Sequence, residues 1–226
     1  MQNGMHQRRV YGRRRGRALR AGQRALFESL LPMLRVALPE HGRLDPKRLF
    51  GAAIDEIWLE IGFGGGEHLV FQAETYPRCG LIGSEVFEPG VAKLLAEIDA
   101  RKLRNVRLFV DDARLLIAAL VPQSVARAFI LFPDPWPKER HKKRRIVASD
   151  TLDDLASILR DGGDLRLATD DPDYAQWIAE RADAHGAFER LDASVRPDDW
   201  PPTRYEKKAV AAGRPARLFH YRRRAR

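Results

Sequence analysis

Five acids stand where an open parallel sheet does its chemistry. In this chain of 226 residues, Glu60, Glu85, Asp112 and Asp134 lie at or just beyond the ends of four successive apolar runs, and Asp170 follows a fifth. Ligands of such sheets bind outside the carboxyl ends of the strands, near the point where strand order reverses. Between the first two acids runs Gly62-Phe63-Gly64-Gly65-Gly66. A dinucleotide fingerprint would set its last glycine at the position held by Glu67, and Glu60 would repel a pyrophosphate. The loop suits a ligand with a positive amino acid end, a ribose and an adenine. S-adenosylmethionine has those parts: Gly62 and Gly64 let the chain approach it, Glu85 is spaced to accept both ribose hydroxyls, and Asp112 is placed to accept from the adenine amino group. Each acid keeps a plainer reading, since strand ends and helix N-caps favour Asp and Glu, and Asp112 also reads as a cap for the next helix.

These acids need strands and helices in alternation. Residues 57–61, 81–86, 106–110, 126–132 and 164–168 read as strands; 67–76, 89–101 and 151–160 read as helices, the last stopped by Gly162-Gly163, and Asp171-Pro172 opens another. Five βα units predict an α/β, Rossmann-like fold, and two further strands at 188–195 and 217–221 predict a mostly parallel seven-stranded sheet with helices on both faces. Leu26, Phe27, Leu30, Leu31 and Leu34 fall at helical spacing despite Pro32. We divide the chain into a basic arm, 1–24, and one domain, 25–226.

The net charge is +9, unevenly spread: +8 over residues 1–24, +5 over 138–145 and +6 over 214–226, leaving the remainder at −10. An acidic body with basic fringes predicts a polyanion at the rim and a cationic or donor-rich ligand inside. The N-terminal stretch has no apolar core of a secretory signal, no run approaches the ~20 residues of a membrane span, and the single cysteine, Cys79, cannot form an intrachain disulfide. The expectations are a cytoplasmic setting, no membrane, no metal and no obligate protein partner.

Several motifs in order resemble the bacterial tRNA (guanine-N7)-methyltransferases, over nearly the whole chain. They are Tyr11 to Arg17 with Gln23, Leu59 to Gly66, Phe132-Pro133-Asp134-Pro135-Trp136-Pro137-Lys138, Arg140 to Arg145, Ala168-Thr169-Asp170 and Thr203-Arg204-Tyr205-Glu206. The last differs from the family's Thr-Lys-Phe-Glu, and Ser84 stands where an aliphatic residue is usual. The resemblance implies a class I methyltransferase fold and transfer of a methyl group from S-adenosylmethionine to a guanine N7 in the variable loop of tRNA. It implies that Glu60, Glu85, Asp112 and Asp134 line the cofactor site, with Asp134 catalytic. Lys138, Asp170, Thr203, Arg204, Tyr205 and Glu206 would meet the nucleotide, and Arg140, His141, Lys142, Lys143, Arg144 and Arg145 the RNA. Thr203 to Glu206 reads equally as a capping box, and Pro133 and Pro135 as rigidifiers of a turn. The basic arm and Arg222 to Arg224 would add phosphate contacts, with the arm separate from cofactor binding. The competing readings are a non-catalytic S-adenosylmethionine- and RNA-binding protein, and a methyltransferase acting on another RNA.

Overall fold

The computed structural model describes residues 12, 14–192 and 196–226. Seven strands form one sheet in the order β3-β2-β1-β4-β5-β7-β6. They are β1 (Glu56–Ile61), β2 (Cys79–Ser84), β3 (Val106–Phe109), β4 (Val125–Leu131), β5 (Leu159–Thr169), β6 (Phe188–Leu191) and β7 (Arg217–Arg223). The first five in this order, from β3 to β5, run parallel, and β7 is antiparallel to both β5 and β6. The order reverses between β1 and β4, which places the predicted switch point beside Glu60 and Asp134. β1 and β2 are buried on both faces almost throughout, as central strands covered by helices must be.

Helices α1 (Ala21–Ser29), α2 (Leu31–Leu34), α3 (Glu67–Thr75) and α4 (Glu88–Arg101) belong to one half; α5 (Ala113–Ala119), α6 (Ser149–Ile158), α7 (Pro172–Asp183) and α8 (Arg204–Ala211) follow. Two apolar clusters flank the sheet: one joins Leu69, Leu94 and Leu95 to Phe129 and Trp200, the other Leu116, Leu152 and Ile178 to Ile130 and Leu167. Burying a side chain of this size contributes roughly 1.5–3 kcal/mol, so the sheet is fixed from both sides.

Three local expectations change. Pro32 divides the N-terminal helix, because a proline is tolerated in a first turn but not in a helix interior. Gly162-Gly163 does not end α6. It lies inside β5, where the register against β4 shifts between Val125 and Arg127; Gly162 has φ +74°, and a Cβ on Gly163 would stand 3.0 Å from the Ala126 carbonyl oxygen. Glycine inside a strand commonly marks such an irregularity. The sixth strand ends at Leu191, and residues 193–195 of the expected strand lie outside the described residues, as do Tyr11 and Arg13 of the arm.

Candidate active site

β1 runs into a loop in which three of the four glycines, Gly62, Gly64 and Gly66, have positive φ. Gly66 is the left-handed N-cap of α3, a conformation that β-carbons disfavour. The carbonyl of Gly64 passes so close to α4 that a Cβ on Gly90 would lie 2.2 Å from its oxygen. This approach draws the loop down onto α4.

Glu85, just past β2, is held by three backbone N–H donors: Gly64 at 2.8 Å, Val86 at 2.8 Å and Phe87 at 2.9 Å. Burial nevertheless pushes its carboxyl above the usual value, and Asp134 adds to that rise through like charge. Asp112 is both a cap and part of the cleft wall. It caps α5 by accepting from the Arg114 N–H at 3.0 Å, pairs with the Arg114 guanidinium at 3.1 Å, and lines the same cleft as Glu85. That cleft, of about 430 Å³, is also walled by Gly62, Gly64, Asp111, Phe132, Asp134 and Trp136. Ser84 reaches the Asp111 carbonyl at 3.1 Å, giving this chain's departure from an aliphatic residue a structural use.

Glu60 departs from its expected place on the cleft wall. It is 3% exposed, and its carboxylate accepts from His68 Nδ1 at 2.8 Å. His68 Nε2 lies 3.0 Å from Gln72 Nε2, which also donates to the Asp199 carbonyl at 2.6 Å. With one amide hydrogen fixed on Asp199, the other points to His68, so the imidazole accepts at Nε2 and carries its proton at Nδ1. Glu60 is thus the end of a buried chain behind the glycine loop. Its partners are 8 to 139 residues away in sequence, beyond any local pattern.

After β4 the backbone turns through Phe132 and Trp136, both bulky residues at positive φ, +53° and +45°. Each such residue costs on the order of 1–3 kcal/mol and persists only where its surroundings over-determine it. Between them, Pro133 and Pro135 hold Asp134, which is exposed on the cleft wall. Tyr205 packs against Phe132, its ring tilted by 44° with centroids 5.2 Å apart, and its hydroxyl approaches Asp170 at 3.4 Å. Burial, then Asp170, raise the Tyr205 hydroxyl's pKa. Asp170 is held by Arg214 at 2.9 Å. Thr203 caps α8 by accepting from the Glu206 N–H at 3.1 Å, while the Glu206 carboxylate is buried and paired with Arg196. The Thr203 half of the capping box therefore forms, while the Glu206 half gives way to the ion pair with Arg196, and Tyr205 faces Asp170 as well. Arg204, first in α8, is exposed.

The basic segment after the turn divides. Lys138, Arg140 and Lys143 are exposed. Arg144 lies over the Trp136 ring at 4.9 Å, and His141 meets the same ring edge-on. Lys142 pairs with Glu139 at 2.9 Å and Asp173 at 3.4 Å. Desolvation and the surrounding cations lower the His141 pKa. Arg145, read as part of the RNA-facing run, is 1% exposed and cannot meet a phosphate in this conformation.

The C-terminal arginines also move. Antiparallel β7 pairs Arg217 with Thr169 at the cleft end of β5, and Arg222 with Asp164 near its foot, about 17 Å away at ~3.4 Å per residue. There Arg223 donates to the Ala156 carbonyl at 2.9 Å, and Arg226 to those of Ala156 and Ser157 at 2.7 and 2.8 Å. They satisfy the open end of α6. The arm is likewise nearer the cleft than expected. Gly12 lines it, Arg14 pairs with Asp111 at 2.7 Å, and the Arg14 carbonyl accepts from the Glu88 N–H at 2.9 Å. The doubled acid Asp111-Asp112 was the available sequence signal for that contact.

Cys79 is buried and its thiol is pushed up to about 11, which keeps it protonated. Among the described residues no group of three or more His, Cys, Asp or Glu could hold a metal ion, and no helix is long and apolar enough to cross a membrane.

A family model described as "Putative methyltransferase" matches residues 55–218. The chain is 53% identical over 224 residues to a tRNA (guanine-N(7)-)-methyltransferase of Paramagnetospirillum magneticum, covering 96% of this chain and 94% of that one. It is 49% identical to a protein of the same name from Rhodospirillum rubrum, covering 96% and 89%. Among solved structures, the 16S rRNA methyltransferase KamB superposes with a TM-score of 0.55 at 17% identity, covering 77% of this chain and 94% of that one, a likeness of fold.

Proposed function

We infer function from the premise that this chain belongs to the tRNA (guanine-N(7)-)-methyltransferase family: it transfers a methyl group to N7 of a guanine in tRNA. The observation that carries this reading is the strained Phe132–Trp136 turn, which sets Asp134 on the wall shared with Glu85 while its Phe132 packs against Tyr205, the partner of Asp170. When bound, S-adenosylmethionine supplies a methyl group activated by a sulfonium. The residues fit it: Glu85, fixed by three N–H donors, keeps acceptor capacity on Oε2 for a ribose hydroxyl, Asp112 offers an acceptor to an adenine amino group, and Gly62 and Gly64 leave the wall open. Glu60 contributes from behind the loop, through His68.

Guanine N7 has an in-plane lone pair and no proton, so the site needs alignment rather than a general base. Asp134 opposes the positive charge that develops on the purine. Asp170 and Tyr205 take the base's donor edge, and Lys138, Thr203, Arg204 and Glu206 frame that side. Arg140, His141, Lys142, Lys143 and Arg144 follow the RNA backbone, reading shape. We place the target in the variable loop of tRNA and the enzyme in the cytoplasm. Incubation with labelled S-adenosylmethionine and tRNA lacking the modification, followed by nucleoside digestion, should put the label in 7-methylguanosine; label in another nucleoside or none overturns the reading.

Cofactor binding should also depend on pH. Glu85 is purely an acceptor only when ionised, and its raised pKa means that it protonates above the usual glutamate range of about 4.3. S-adenosylhomocysteine affinity, measured by calorimetry, should therefore fall on acidification from a higher pH than an ordinary glutamate would give, and Glu85→Gln should be weak and flat. A group whose pKa is raised on folding favours the folded chain when protonated, so Glu85 does not cause unfolding over that window. Undiminished wild-type affinity down to pH 4 would remove Glu85 from the role.

A further inference from the structure

Arg145 ends the basic segment 138–145 yet makes its contacts inward. Its guanidinium lies over the rings of both Tyr174 and Trp177, 4.8 Å from each centroid. Its Nε donates to the Pro135 carbonyl at 2.8 Å, and another of its nitrogens pairs with Asp173. The cage is itself tied down: the Val147 N–H donates to the Tyr174 hydroxyl at 3.2 Å, and Trp177 Nε1 donates to the Val147 carbonyl at 2.6 Å. Tyr174, Trp177 and Asp173 all belong to α7, whose N-cap, Asp171, directly follows Asp170. Arg145 is therefore the side chain that joins the turn carrying Asp134 to the helix that begins beside Asp170. A buried guanidinium without good partners would be costly, and here stacking, an ion pair and a carbonyl fix it in one orientation.

We propose that Arg145 is a positioning residue for methyl transfer, locking the Pro133–Trp136 turn to the start of α7 so that Asp134 and Asp170 keep their relation, and that it makes no phosphate contact. The proposal rests on the reading of the site given above. A lysine keeps the charge but loses the planar, stacked fork, so Arg145→Lys should lower kcat about 10²-fold, the scale of a misplacement near 1 Å. The KM for tRNA should stay within about threefold, and the slope of log Kd for tRNA against log salt should be unchanged. Arg140→Ala, a rim cation, should instead reduce that slope by about one.

Amide exchange at Phe132, Asp134 and Trp136, the three residues of 132–137 that carry an amide hydrogen, provides a readout without catalysis in the free protein; it should quicken in Arg145→Lys, above all at Phe132, whose N–H donates to the Ala168 carbonyl at 2.8 Å. Asp173→Asn, at a half-exposed acid, should quicken the same amides and lower kcat several-fold, and serves if Arg145→Lys fails to fold. Wild-type kcat in either folded variant, a salt slope reduced by one in Arg145→Lys, or unchanged exchange over 132–137 overturns the proposal. If the wild type methylates no tRNA while the exchange result holds, the anchoring stands and the functional reading fails instead.

Discussion

Asp134→Asn lowers kcat for tRNA methylation by about 10²- to 10³-fold, the range expected when a preorganised charge is removed from a developing opposite charge. The residue is nearly isosteric, exposed, and outside both apolar clusters, so thermal stability should change little. Among the described residues no cation pairs with Asp134, whereas Asp170 already faces Arg214 and Asp112 faces Arg114. Asp134 is thus the acid whose charge is available to the purine. A second readout comes from Glu85, whose pKa Asp134 helps to raise. Without that charge, the acid limb of S-adenosylhomocysteine binding should move to lower pH. Wild-type kcat in the variant would exclude the role, and an unmoved acid limb would exclude the coupling.

Gly90→Ala should weaken S-adenosylhomocysteine binding by about 10- to 100-fold, although alanine is the better helix former by about 1 kcal/mol. The new Cβ would lie 2.2 Å from the Gly64 carbonyl oxygen and 3.7 Å from the Glu85 side chain. Since the first contact is with backbone, α4 and the glycine loop must separate, at a cost of about 1–3 kcal/mol, and with them goes the Gly64 N–H that holds Glu85. Calorimetry against the wild type, with circular dichroism to verify folding, measures both parts. Gly22→Ala, in α1 with nothing near its Cβ, should leave binding unaltered; equal affinity in Gly90→Ala would show that the loop tolerates the displacement.

The parallel sheet was legible because its strands are apolar runs ended by acids, and the register that pairs Glu60 with Gly83 and Phe129 follows from that order. Glu85, Asp112 and Asp134 likewise fell where strand ends predict, and the resemblance named the turn around Asp134. What the local pattern could not reveal was which partner each charge would find. Glu60 is turned to His68, and through Gln72 to Asp199, a contact across 127 residues. Arg145 looks like its basic neighbours in sequence and differs by the Tyr174 and Trp177 rings, Asp173 and the Pro135 carbonyl that it finds on folding. Arg223 and Arg226 look like a nucleic-acid tail until antiparallel β7 carries them to the foot of the sheet. Charge counting along a chain reports sign and density, while pairing depends on topology.

The turn between Phe132 and Trp136 has a bearing on how ordering entropy is divided between folding and binding. Two prolines narrow the unfolded segment's choices, and two left-handed aromatic residues fix the remainder against Tyr205 and Arg144. The freedom of that wall is thereby given up when the chain folds. The incoming guanine must still leave its own stack, but it meets a surface with little left to order, so the entropy lost on encounter belongs chiefly to the RNA.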